Sequence, residues 1–108
     1  EESLGCAAHC TSCADACLAE GMVADLRQCI RTCLDCADLC FAFASVGLRR
    51  AGSNVPVLLA ALRACEAACA ACAAECERHA SMHEHCRLCA EACRACEAAC
   101  REAVADLR

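Results

Sequence analysis

The chain has 108 residues, a formal net charge of -5 and 17 cysteines. Its apolar content is 27 Ala and 17 Cys against only 21 Val, Ile, Leu, Met and Phe, with no Trp, Tyr or Lys. An ordinary core of large side chains is therefore excluded. The acidic balance, without a basic run or an aromatic platform, argues against nucleic-acid binding. The length fits one domain over 1–108.

The first predicted helix covers 3–20 and carries Cys6, Cys10, Cys13 and Cys17, with Gly21 to end it. The second covers 22–47 and carries Cys29, Cys33, Cys36 and Cys40. A break follows from Gly47 to Pro56, holding two Gly and the only Pro. Ser53 or Asn54 is placed to cap a third helix over 54–79, with Cys65, Cys69, Cys72 and Cys76. Ser81-Met82-His83-Glu84 reads as a capping box for a fourth helix over 82–107, with Cys86, Cys89, Cys93, Cys96 and Cys100.

Four cysteine blocks thus share one spacing, C-x3-C-x2-C-x3-C, and Cys86 extends the last block by one step. At about 100° per residue, the four members of a block fall within a stripe about 60° wide. The intervening Ala, Arg, Glu and Leu favour helix, and no period-two pattern is present. Blocks one and two map onto three and four by shifts of 59 and 60 residues, as in a duplicated helical hairpin. Short connections make neighbours antiparallel, so the predicted fold is all-α: an antiparallel up-down-up-down four-helix bundle with cysteines lining the core.

Cysteine as mere core filler is a poor explanation, because Ala, Leu or Val fills a stripe without oxidation risk. A secreted disulfide scaffold is loop-rich, whereas this chain has 4 Gly and 1 Pro. Thiols at i and i+4 point in parallel about 5–6 Å apart at Cβ, which suits S–metal–S better than S–S. Soft thiolates select Cu(I), Zn(II) or iron–sulfur clusters. Four zinc–thiolate centres would each bury a charge of about -2, which is expensive. One Cu(I) per cysteine replaces one proton and keeps the core neutral. The triplet Cys6-Cys10-Cys13 also matches the cluster motif of radical enzymes that use S-adenosylmethionine. Its recurrence on four helices marks it as a false match. No acid–base dyad or phosphate loop is evident, so catalysis is not expected. Reduced thiols in this number favour a cytoplasmic setting. No consecutive apolar run approaches a membrane span; the longest is Ala67 to Ala74.

The four repeated helices resemble the bacterial copper storage proteins, over essentially the whole chain. The resemblance implies storage and buffering of many Cu(I) ions in the bundle core through Cys thiolates, and assembly as a tetramer. It also implies exchange with a copper chaperone or a recipient cuproenzyme. The cysteine count and the segment His83-Glu84-His85-Cys86 resemble the cytosolic branch.

The two ends of the bundle differ. Met22 and Met82 each stand seven residues before a block, and His79 and His85 lie on their stripes, at about -40° from Cys65 and Cys89. Met, His and Asp25 therefore gather at one end, where thioether and imidazole suit entry and hand-off of Cu(I). His83 is off the stripe, and the resemblance implies a ligand role for it. His9 is read as structural or exposed. At the other end Phe43, Leu58, Leu62, Val104 and Leu107 are expected to form an apolar plug. Val23, Ile30, Leu34, Phe41 and Leu48 make a second stripe on the second helix, expected to pack a homo-oligomer. Glu66, Glu97 and Arg101 are expected on solvated faces. The competing reading is a zinc- or iron–sulfur-binding bundle for detoxification or electron transfer.

Overall fold

A computed structural model describes residues 2–49 and 53–107. Four helices run α1 (Glu2–Leu18), α2 (Arg27–Gly47), α3 (Val55–Glu77) and α4 (Glu84–Leu107), with a 3-10 turn at Val23–Leu26 before α2. The described residues contain no strand. They form a rod 48 Å long and 19 Å across. The sulfur register is antiparallel for α2 against α3, where Cys40, Cys36, Cys33 and Cys29 meet Cys65, Cys69, Cys72 and Cys76 in turn. It is antiparallel again for α1 against α4, where Cys6, Cys10 and Cys13 meet Cys93, Cys89 and Cys86. The expected up-down-up-down bundle is therefore the observed one.

All 17 cysteines are buried. Ala7, Ala14, Ala37, Ala73 and Ala90 are buried beside them. These small side chains let the helices approach, so that sulfur rather than branched carbon fills the axis. Buried large apolar side chains are confined to the ends. Leu26 is fully buried at the end holding the α1–α2 and α3–α4 turns. Leu58, Leu62 and Val104 are buried at the other, with Phe43 and Leu107 packed against the core, as the expected plug requires. A groove of about 530 Å³ opens beside that plug between Phe43, Leu62 and Ala103 and reaches Cys96 and Cys100.

Several predicted boundaries move. Helix α1 ends at Leu18, not at Gly21, through the bonds Ala19 N–H to Ala16 O and Glu20 N–H to Cys17 O. No described glycine has a positive φ, so the helix closes without a left-handed cap. The Asn54 side chain does not cap α3; its Nδ2 donates to Arg49 O at 3.2 Å, tying the loop back to α2. The expected capping box at Ser81 is absent, because α4 begins at Glu84 and the His83 carbonyl accepts from Cys86 and Arg87 N–H. Gly52, counted in the break, lies outside the described residues.

Two surface expectations also change. Glu66 and Glu97 are half-buried rather than freely solvated. Arg94 makes two 2.9 Å contacts to Glu77 and one of 2.8 Å to Glu97, while Arg101 joins Glu66 at 3.0 Å and Glu97 at 2.8 Å. This ladder stitches α3 to α4 along their outer seam. Helix α3 is, by length and composition, apolar enough to cross a membrane, with a mean hydropathy of 1.7 in its best window. Its consecutive apolar runs are short because isolated charges such as Arg63 and Glu66 interrupt them without offsetting the Ala and Cys. In the bundle its cysteine stripe faces the other three helices.

Candidate metal centre

Helical phase places the four stripes on the axis, and interhelical register then stacks their sulfurs in layers. One layer joins Cys6, Cys36, Cys69 and Cys93, with separations of 3.7–3.9 Å. The next joins Cys10, Cys33, Cys72 and Cys89, at 3.6–3.9 Å. Cys13, Cys29, Cys33 and Cys76 place all their sulfurs within 4.8 Å of one another, and Cys86 lies 4.0 Å from Cys13. At the plugged end Cys40 and Cys65 approach to 3.4 Å. There α1 contributes Ser3 where a further thiol would stand, with its Oγ 4.0 Å from Cys96 Sγ. Cys100 continues the α4 stripe beside Cys96 and is 2 % exposed. Cys93 also lies 3.5 Å from Cys10, so adjacent layers are in contact.

These separations decide what the tube can hold. A disulfide needs sulfurs about 2.05 Å apart, and every cysteine is unpaired. Three sulfurs around one metal, each about 2.3 Å from it, stand about 4.0 Å apart, and four stand about 3.8 Å apart. Sulfurs that approach to 3.4–4.0 Å within groups of four spanning no more than 4.8 Å therefore accept three- or four-coordinate soft metal with little motion. No charged side chain is fully buried among the described residues. The core has nothing to offset uncompensated negative charge. Burial pushes the Cys17 and Cys86 thiols well above the ordinary range, because each thiolate would lose hydration next to other sulfurs.

The mouth is built by the two turns. His85 is half-buried, with Nδ1 3.5 Å from Cys13 Sγ, 3.6 Å from Cys86 Sγ and 3.9 Å from Cys17 Sγ. The ligand atoms of Cys13, Cys17, His85 and Cys86 lie within 4.8 Å of one another, so one metal fits between them. His83 stacks on His85 with ring centroids 5.3 Å apart. Its side chain is 9 % exposed, and its Nε2 is buried without a hydrogen-bond partner. Burial works against a charged His85 ring, but contacts with Cys13 and Glu20 outweigh it and raise its basicity. The hydrogen bond from His85, followed by the charges of both rings, holds the Glu20 carboxyl below its usual range.

Other predicted mouth residues stand further out. His79 lies in the turn after α3, with Nε2 3.3 Å from Glu75 Oε2 rather than against a thiol. Met22 and Met82 sit in the two turns, 42 % and 62 % exposed. Asp25 and His9 are exposed. The acid that joins the histidines is Glu20, which helical phase overlooks. It stands three residues past Cys17, in chain that has already left the helix. Ser3 was overlooked too, although it lies one three-residue step before Cys6, as Cys86 does before Cys89.

A family model described as Csp, copper storage protein, matches residues 1–105. A cytosolic copper storage protein from Streptomyces lividans, solved with five coppers, is 61% identical, with a TM-score of 0.95 over 97% of this chain and 88% of that one. The same protein loaded with 10 copper equivalents gives 61% identity and a TM-score of 0.96, over 97% and 80% of the two chains. A histidine-to-alanine variant of it gives 59% and 0.98, over 100% and 90%. No curated protein sequence matches the chain.

Proposed function

The chain belongs to the copper storage protein family, and from that premise we propose that it stores and buffers Cu(I) inside the bundle, at roughly one ion per cysteine. The observation that carries this reading is the continuous run of buried, unpaired sulfurs, each within 4.8 Å of the next, from Cys40 and Cys65 at one end to Cys17 and Cys86 at the other. Charge selects the metal. Each Cu(I) displaces one thiol proton and leaves the core neutral at any filling. Zinc in four-thiolate sites would bury about -2 per site with no buried cation to balance it.

All 17 cysteines act as ligands in this proposal. His85 joins Cys13, Cys17 and Cys86 in the outermost site, and His83 offers its unpartnered Nε2 beside it. Met22, Met82 and His79 meet the ion first, from exposed turns where weaker ligands release it readily. Copper passes from this mouth towards the plugged end by exchange between neighbouring sulfurs. No catalytic step is assigned. The compartment follows the cytosolic relative. Chains assemble as a homotetramer through the exposed stripe of α2, and a copper chaperone or recipient cuproenzyme exchanges metal at the mouth.

Anaerobic titration with Cu(I) against a strong chelator tests the reading. Binding close to one ion per cysteine supports storage. Saturation near four divalent ions, or visible iron–sulfur bands on the isolated protein, would replace it with the zinc or cluster reading.

A further inference from the structure

One acidic side chain stands between the two imidazoles of the mouth. Glu20 Oε2 lies 3.0 Å from His85 Nε2 and 3.3 Å from His83 Nδ1. Glu20 belongs to the turn after α1, whereas His83 and His85 flank the first residue of α4, so the carboxylate ties two separate elements. The rings it meets are stacked, with planes 24° apart.

A carboxylate only accepts hydrogen bonds, and a neutral imidazole carries one N–H and one bare nitrogen. His85 Nε2 donates to Glu20 and so carries the proton, whereas His83 Nδ1 meets the same oxygen in an ion-pair contact at 3.3 Å, which favours the proton there too. In His85 this leaves Nδ1 bare beside Cys13, Cys86 and Cys17. In His83 it leaves Nε2 bare, buried and without a partner. A buried polar atom left unpaired costs stability, and a metal at that nitrogen recovers it. The two rings thus present different nitrogens, and a single carboxylate oxygen accounts for both choices.

We infer that Glu20 is a positioning residue, holding His83 and His85 in opposite tautomers so that each turns a bare nitrogen towards incoming Cu(I). This rests on the reading of that end as the copper mouth. An outer partner that fixes a ligating histidine in this way is worth about 10–100-fold in metal affinity or rate. Asp25, the acid that helical phase places at the mouth, is exposed and has no such contact among the described residues.

The tautomers are read in the metal-free protein by long-range proton–nitrogen correlation spectroscopy. The wild type is expected to show His85 protonated on Nε2 and His83 on Nδ1. The second is the informative one, because free histidine side chains favour Nε2–H. Glu20→Ala is expected to return His83 to Nε2–H and to slow uptake of the first Cu(I) equivalent about tenfold, with total capacity unchanged. Glu20 is one-third exposed, so truncation leaves the helices intact, which circular dichroism checks. His83 protonated on Nε2 in the wild type, or unchanged in Glu20→Ala, overturns the inference. If the tautomers are as stated but the wild type takes up no Cu(I), the storage reading falls while the positioning stands. Full uptake with other tautomers has the reverse meaning.

Discussion

Removing one complete sulfur layer separates capacity from access. The layer of Cys10, Cys33, Cys72 and Cys89 divides the tube unequally. Towards the mouth lie Cys13, Cys17, Cys29, Cys76 and Cys86. Towards the plug lie Cys6, Cys36, Cys40, Cys65, Cys69, Cys93, Cys96 and Cys100. Layers three or four residues apart are about 5 Å apart along the axis, so replacing all four cysteines by Ala opens a gap of about 10 Å. A metal shared by two sulfurs spans only about 4.6 Å, so direct hand-over fails across it. Capacity at equilibrium should fall from about seventeen ions to about thirteen at one ion per thiol. Uptake should split into a fast phase of about five ions and a slow one of about eight, the slow phase waiting on local opening of the bundle. Each Cys→Ala deletes one buried heavy atom, which by comparison with a lost methyl group costs about 1 kcal/mol, or about 4 kcal/mol for the layer. Chemical denaturation of the metal-free variant checks that it remains folded. Stopped-flow uptake from a chelated Cu(I) donor supplies the phases. About thirteen ions entering in one fast phase would refute passage along the sulfurs, and loss of all binding would refute additive sites.

Replacing Met22, Met82, His79 and His85 together by Ala should slow loading with capacity nearly unchanged; a capacity cut by half would defeat the mouth assignment. Leu62 is 2 % exposed in the plug, so Leu62→Ala should cost about 3 kcal/mol of metal-free stability in a denaturant titration, and a cost under about 1 kcal/mol would show that the plug is not packed. Leu34 and Phe41 are 47 % and 49 % exposed on α2, so changing both to Asp should reduce the sedimentation mass to one chain while leaving copper capacity intact. A wild-type mass of one chain would contradict that interface. Burial keeps the Cys17 and Cys86 thiols protonated at neutral pH, and Cu(I) must displace those protons. Apparent affinity should therefore rise with pH, by about tenfold per unit for each thiol engaged; competition titrations that give a pH-independent affinity would contradict it.

The cysteine stripes were legible because helical phase holds within a helix, and each block lies inside one. The same phase gave the buried thiols, the apolar plug and the place of Cys86. It fails where chain leaves the helix. Glu20, His79 and Met82 occupy turns, and their positions depend on how α1 meets α4 and how α3 closes. Interhelical register is also invisible to periodicity. Repeat alignment matches Cys6 with Cys65, but the packing sets Cys6 in one layer with Cys69 at 3.9 Å. That shift of one turn brings Ser3 level with Cys96 and leaves Cys17 and Cys86 for His85 to meet. The cap signals mislead for a related reason. Asn54 and Ser81 carry the right side chains, but the loop claims one and α4 starts beyond the other.

Native mass spectrometry of the anaerobically loaded protein tests the central claim most directly, because it counts ions and displaced protons together. Storage of Cu(I) by a neutral thiolate core predicts a distribution centred near seventeen ions per chain, with one proton lost for each copper gained. Saturation at about four metals, each displacing several protons, would contradict it.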